Sequence, residues 1–168
     1  KNIGNAMIYI CGVTHDMQCL KEDNTQKALD FYEHVKTYCN EFDIQTIIEE
    51  YNDDAAIIAN CLKVIAYCVA EELNIEHVYC EPSLETRESL NIDDVNNIRA
   101  QAFAYGWSDQ DLHDTLERQF EIREQYWMDI ICPFVPNDTV ILFICGRDHV
   151  SRMAEKFDDE SIEYSIIE

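Results

Sequence analysis

The sequence predicts an α/β fold: a mostly parallel central sheet, helices on both of its faces, and a helical insertion before the fourth strand. Three observations carry this prediction. Short apolar runs alternate with longer stretches of helical periodicity, the pattern of strands joined by helical crossovers. The runs at 7–13 and 139–145 are almost wholly apolar, as strands covered on both faces must be. Between the third and fourth strands, residues 81–132 carry helical spacing and no strand pattern.

The elements follow in order. Met7 to Val13 is an apolar run with Gly12 near its end, and reads as a buried strand. From Gln26 to Phe42, Ala28, Phe31, Tyr32, Val35, Tyr38, Cys39 and Phe42 recur at helical spacing. Ile44 to Ile48 is the second strand and ends in Glu49-Glu50. Asp53 or Asp54 can cap the next helix, which is expected to run to about Leu73. Its Ile57, Ile58, Leu62, Val64, Ile65 and Val69 make it apolar on most sides, so deep packing is expected. His77 to Cys80 is a short third strand. Pro82 opens an irregular stretch, followed by helices at roughly 93–104 and 109–131. Ser108 and Asp111 form a capping-box pattern at the start of the second. Pro133 and Pro136 close that region. Thr139 to Cys145 is the fourth strand. Gly146 turns it into a helix from Val150 to Phe157, and Ile162 to Ile167 is a last, edge strand.

The 168 residues have the length of one domain, 1–168, long enough to bury a core without staples. Residues 1–6, a polar lead-in before a clean strand, are expected to be a vector remnant, with Met7 the native start. With three Pro and four Gly there is no linker or low-complexity tract. No apolar run has the length of a membrane span, and no signal peptide is visible. The net charge of −22 repels nucleic acid and anionic membranes, so neither is expected as a partner. Dense carboxylates would also suit an acidic interaction protein such as a DNA mimic. Eight Cys occur without any CxxC pair, which excludes a zinc ribbon or a thioredoxin motif. Most lie in apolar segments, so all eight are expected reduced and the chain cytoplasmic.

In a parallel sheet, ligands bind outside the carboxyl ends of the strands. Those ends carry Gly12 to His15, Glu49-Glu50, Glu81, and Gly146 to His149. The most specific signal is a repeat: Ile10-Cys11-Gly12-x-x-His15 recurs as Ile144-Cys145-Gly146-x-x-His149. Gly permits a sharp, close turn, and a His three residues later can face back over the strand end. Glu49 and Glu50 point to opposite faces if the strand is still extended there. Arg123 lies within the apolar stripe Leu116, Phe120, Trp127 and Ile130, and a buried guanidinium needs a carboxylate or an anionic ligand. Glu49, Glu50 and Asp148 are the expected partners. His34 and His113 read as exposed helix residues, and His77 as structural.

The order of Gly-x-x-His, glutamate pair, Arg-bearing helix, apolar strand and second Gly-x-x-His resembles the TraB/Tiki superfamily, including its erythromycin-esterase-like and ChaN-like proteins. The matching residues are Gly12 to His15, Glu49-Glu50, Arg123, and Gly146 to His149, spread over nearly the whole chain. The resemblance implies a hydrolase-like site, metal-dependent in the Tiki proteases and built around His and Glu in the esterases.

The expected site is therefore His15, Glu49, Glu50, Arg123 and His149, acting on a small-molecule or peptide substrate. His15, Glu50 and His149 could hold a divalent metal, with zinc, manganese or iron suited to two imidazoles and a carboxylate. Without a metal they would act as base and acid on water. The rival is a binding module that holds a small ligand or haem without turnover.

Overall fold

The structure is a computed structural model and describes residues 6–167. The lead-in expected at 1–6 falls outside the described residues except for Ala6. Five strands form one all-parallel sheet: β1 (Met7–Val13), β3 (Thr46–Glu49), β5 (Glu76–Tyr79), β6 (Val140–Gly146) and β7 (Glu163–Ile167). The order across the sheet is β5-β3-β6-β1-β7. Two short strands, β2 (Cys19–Leu20) and β4 (Lys63–Val64), pair antiparallel beside it.

Alternation along the strands sets the two cores. On one face, Ile8, Ile10, Ile48, Phe143 and Cys145 meet α6 (Asp109–Ile131) and α7 (Val150–Asp159) through Trp127, Ile131, Met153 and Phe157. On the other, Cys11, Val13, Ile47, Leu142 and Ile144 meet α1 (Thr25–Glu41) and α3 (Ile65–Leu73) through Phe31, Val35, Ala66 and Val69. The stretch 81–132 holds α4 (Leu84–Ser89), α5 (Val95–Tyr105) and α6. The Ser108–Asp111 capping box is formed, each side chain accepting from the other's backbone N–H. The last strand lies at an edge, paired with β1 alone.

Neighbouring strands β1 and β6 send the chain in opposite directions. From β1 it passes through α1 on one face to β3. From β6 it passes through α7 on the other face to β7. This reversal is the topological switch point, where a crevice opens at the carboxyl ends of the strands.

Two expectations are corrected. The helix expected from 53 to about 73 is two helices, α2 (Asp53–Ile58) and α3, separated by a turn and β4. Asn60 adopts a left-handed conformation that ends α2. Ile57, Ile58 and Leu62, expected deep in the core, are instead exposed, at 75%, 70% and 61%. Nor are all eight Cys free: Cys19 and Cys61 form a disulfide across a Cα–Cα distance of 5.5 Å. It ties the end of α2 to β2. The six others are free thiols. Cys11 and Cys145 are buried in the sheet as expected, and burial pushes the Cys11 thiol up to about 11.

Candidate functional site

Register brings the two Gly-x-x-His turns side by side. Gly12 lies opposite Cys145, and Val13 opposite Gly146. Each strand then breaks into a 3-10 turn, His15–Met17 after β1 and Arg147–His149 after β6. A side chain would clash at Gly12 and crowd its neighbours at Gly146. A Cβ on Gly12 would sit 2.8 Å from Val150 Cγ2, and one on Gly146 would sit 3.2 Å from His15 Nε2 and 3.3 Å from Glu50 Oε2.

Glu50, the residue after β3, is the centre of the arrangement. Its backbone N–H donates to Ile144 O at 2.8 Å, which extends the sheet by one bond and fixes where its side chain starts. Its buried Oε2 accepts the Gly146 N–H at 2.6 Å, and Oε1 accepts from Arg123 Nη2 at 2.7 Å. His15 Nε2 and His149 Nε2 both face that same Oε1, at 3.6 and 3.9 Å. Thus His15, Glu50, Arg123 and His149 converge, although they come from four separate segments.

Glu49 points to the other face, as alternation requires. Its carboxylate meets His77 Nε2 at 2.6 Å and Gln18 Nε2 at 3.1 Å, away from the Glu50 carboxylate. His77, read as structural, is the buried partner of a strand-end acid.

Arg123 is held by two carboxylates. Nη2 donates to Glu50 and, at 2.9 Å, to Glu81 Oε2, which also accepts from Trp127 Nε1 at 3.2 Å. Arg87 pairs with the other oxygen of Glu81. Burial disfavours the Arg123 charge, but the attraction of Glu81 and Glu50 outweighs it and raises its pKa. Asp148, expected as a partner, is exposed in its turn, and Glu81 takes that place.

His149 is buried and edge-on to Trp127 and Phe120, with ring centroids 4.8 and 5.0 Å away. Its Nδ1–H donates to Glu124 Oε1 at 2.7 Å, and Arg152 Nε donates to both oxygens of Glu124. Burial would raise the Glu124 carboxyl, but the bonds from His149 and Arg152 win and hold it below the ordinary range. It is therefore an acceptor only, and His149 must carry a hydrogen on Nδ1, which leaves Nε2 as the nitrogen that faces Glu50.

Sequence reasoning missed Gln18, Arg87 and Arg152. Glu124 reads from the sequence as a weaker candidate than Arg123, at the edge of the apolar stripe, and the structure buries it against His149. Gln18 had no such signal.

A cleft of about 380 Å³ opens beside the cluster. His15, Glu50, Glu81, Arg87 and Arg123 line its charged side, Ala55, Ile58 and Leu84 its apolar side. His15 stands at the mouth, its side chain 57% exposed, and His149 lies behind Glu50.

The donor types would suit a divalent metal, but their engagement does not. The Glu50 oxygen facing both imidazoles already takes the Arg123 guanidinium. Among the described residues no group of three or more His, Cys, Asp or Glu is placed to hold a metal ion. No helix among them is long and apolar enough to cross a membrane.

The fold and the site together define an all-parallel α/β domain with a His–Glu–Arg cluster at its switch point. Comparison with protein-family models, with curated proteins and with solved structures gives no match to this chain.

Proposed function

We propose that the chain is a hydrolase of the metal-free His/Glu kind implied by the TraB/Tiki resemblance, acting on a carbonyl substrate in the cleft beside His15. One observation carries the reading: two imidazole nitrogens from matching turns face one oxygen of a buried, immobilised carboxylate, at 3.6 and 3.9 Å. A water in that space can donate one hydrogen to an imidazole and the other to Glu50. In the reaction, His15 Nε2 takes a proton from water as the oxygen attacks the carbonyl carbon, and the proton then passes to the leaving group. Glu50 orients the water and balances the imidazolium charge. Arg123 and the Gly146 N–H hold Glu50 still, so Arg123 is a positioning residue. His149, anchored by Glu124, closes the rear of the site.

The test is a panel of esters and amides given to protein dialysed against chelator, with metal content measured beforehand. Hydrolysis should survive chelation and fall at least about 100-fold in His15→Ala, the size of a general-base contribution. Activity lost on chelation and restored by zinc, manganese or iron would replace this reading with the metal-dependent one. Saturable binding of panel compounds without turnover would replace it with a binding module.

A further inference from the structure

His15 has an anchor of its own in Gln18, a residue fully buried in the turn that follows β1. The Gln18 amide nitrogen lies 3.1 Å from Glu49 Oε2 and 3.2 Å from the backbone oxygen of Glu50. Both are acceptors, so the amide cannot be turned round: its oxygen would then meet a carboxylate and a carbonyl with no hydrogen between them. The amide oxygen must therefore face His15, whose Nδ1 lies 2.8 Å from it. An amide oxygen only accepts, so Nδ1 must carry the hydrogen.

We propose that Gln18 is a positioning residue that sets the tautomer of His15: Glu49 orients the Gln18 amide, and the amide holds the His15 hydrogen on Nδ1, leaving Nε2 bare toward Glu50 and the cleft. Glu49, which faces away from the site, thereby acts on it through one intermediary. His77 fixes Glu49 in turn, donating to its second oxygen at 2.6 Å. The chain of contacts runs from the edge of β5 to the mouth of the cleft. A free imidazole favours hydrogen on Nε2, so the arrangement reverses the intrinsic preference at a half-exposed side chain. This deepens the hydrolase reading, since only a bare Nε2 can take a proton from water.

The test reads the tautomer directly by nitrogen-15 NMR of the imidazoles, at a pH where His15 is neutral and with no substrate present. His15→Asn assigns the signal. In the unaltered protein His15 should be predominantly the Nδ1–H form, and in Gln18→Met, folded by circular dichroism, predominantly the Nε2–H form. A predominantly Nε2–H His15 in the unaltered protein overturns the proposal whatever the variant does. So does a tautomer that Gln18→Met leaves unchanged. If Gln18→Met does not fold, the unaltered protein's spectrum decides alone. An Nδ1–H His15 in a protein that hydrolyses nothing would refute the hydrolase reading and leave the positioning role standing.

Discussion

Replacing Arg123 by Ala removes the cation shared by two buried acids. The Arg123 side chain is 12% exposed, that of Glu50 2% and that of Glu81 7%, so solvent cannot take over its role. Breaking a buried ion pair costs about 3–5 kcal/mol, because a charge is left without compensation. The lower end applies here. Glu81 keeps Arg87, and Glu50 keeps the Gly146 N–H. Lost stacking over Trp127, whose ring centre lies 5.3 Å from the guanidinium, adds a smaller amount. A loss of about 3 kcal/mol corresponds to a fall in Tm of about 6–12 °C for a domain of this size. Thermal melting by circular dichroism at neutral pH measures it. The exposed Arg118 on the same helix is the control, and Arg118→Ala should change stability by no more than about 0.5 kcal/mol. The gap between the variants should persist at high salt, since a buried pair is screened little. Equal, small shifts for both would refute the clamp and leave Arg123 a surface residue.

Further predictions rest on other contacts. The folded-state pKa of Glu124 is depressed, so its stabilising bonds are fully present above the ordinary carboxyl pKa and lost as pH falls through the folded value. The Tm difference between unaltered protein and Glu124→Gln should therefore be widest at neutral pH and close under strong acid; a gap that widens on acidification would contradict the assignment. Gly12→Ala forces a Cβ against Val150 and should cost about 1–3 kcal/mol in urea unfolding. Gly146→Ala presses instead on two groups of the site, His15 and the buried Glu50 carboxylate, so hydrolysis should fall; a variant that keeps full activity would count against the geometry. Denatured protein should titrate six thiols without reductant and eight with it. Eight without reductant would show that Cys19 and Cys61 are free. The bridge closes a loop spanning 42 positions, which chain entropy values at up to about 4 kcal/mol.

The strands were legible because parallel strands buried on both faces must be apolar, and the site because its residues stand where strands end. The Ile-Cys-Gly-x-x-His repeat located the switch point, and Arg123 declared itself as a charge in an apolar stripe. Other parts depend on partners far away in the chain. Nothing near Gln18 marks it as the link between His15, in the turn after β1, and Glu49, at the end of β3. The 53–73 segment misled because its Ile residues suggest burial, whereas the left-handed turn at Asn60 and the pairing of β4 with β2 turn Ile57 and Ile58 outward. That pairing is non-local, as is the Cys19–Cys61 bridge, so periodicity cannot register either.

The central claim is that the two Gly-x-x-His turns form one working unit around Glu50. The most direct measurement is a double-mutant cycle in kcat/KM on a substrate found in the ester and amide panel, using His15→Ala, His149→Ala and both together. Groups that act as a unit lose activity non-additively. Each single variant should lower kcat/KM, His15→Ala by about 100-fold or more, and the double variant should lose little beyond His15→Ala. Losses that multiply, or a single variant that keeps full activity, would contradict the account.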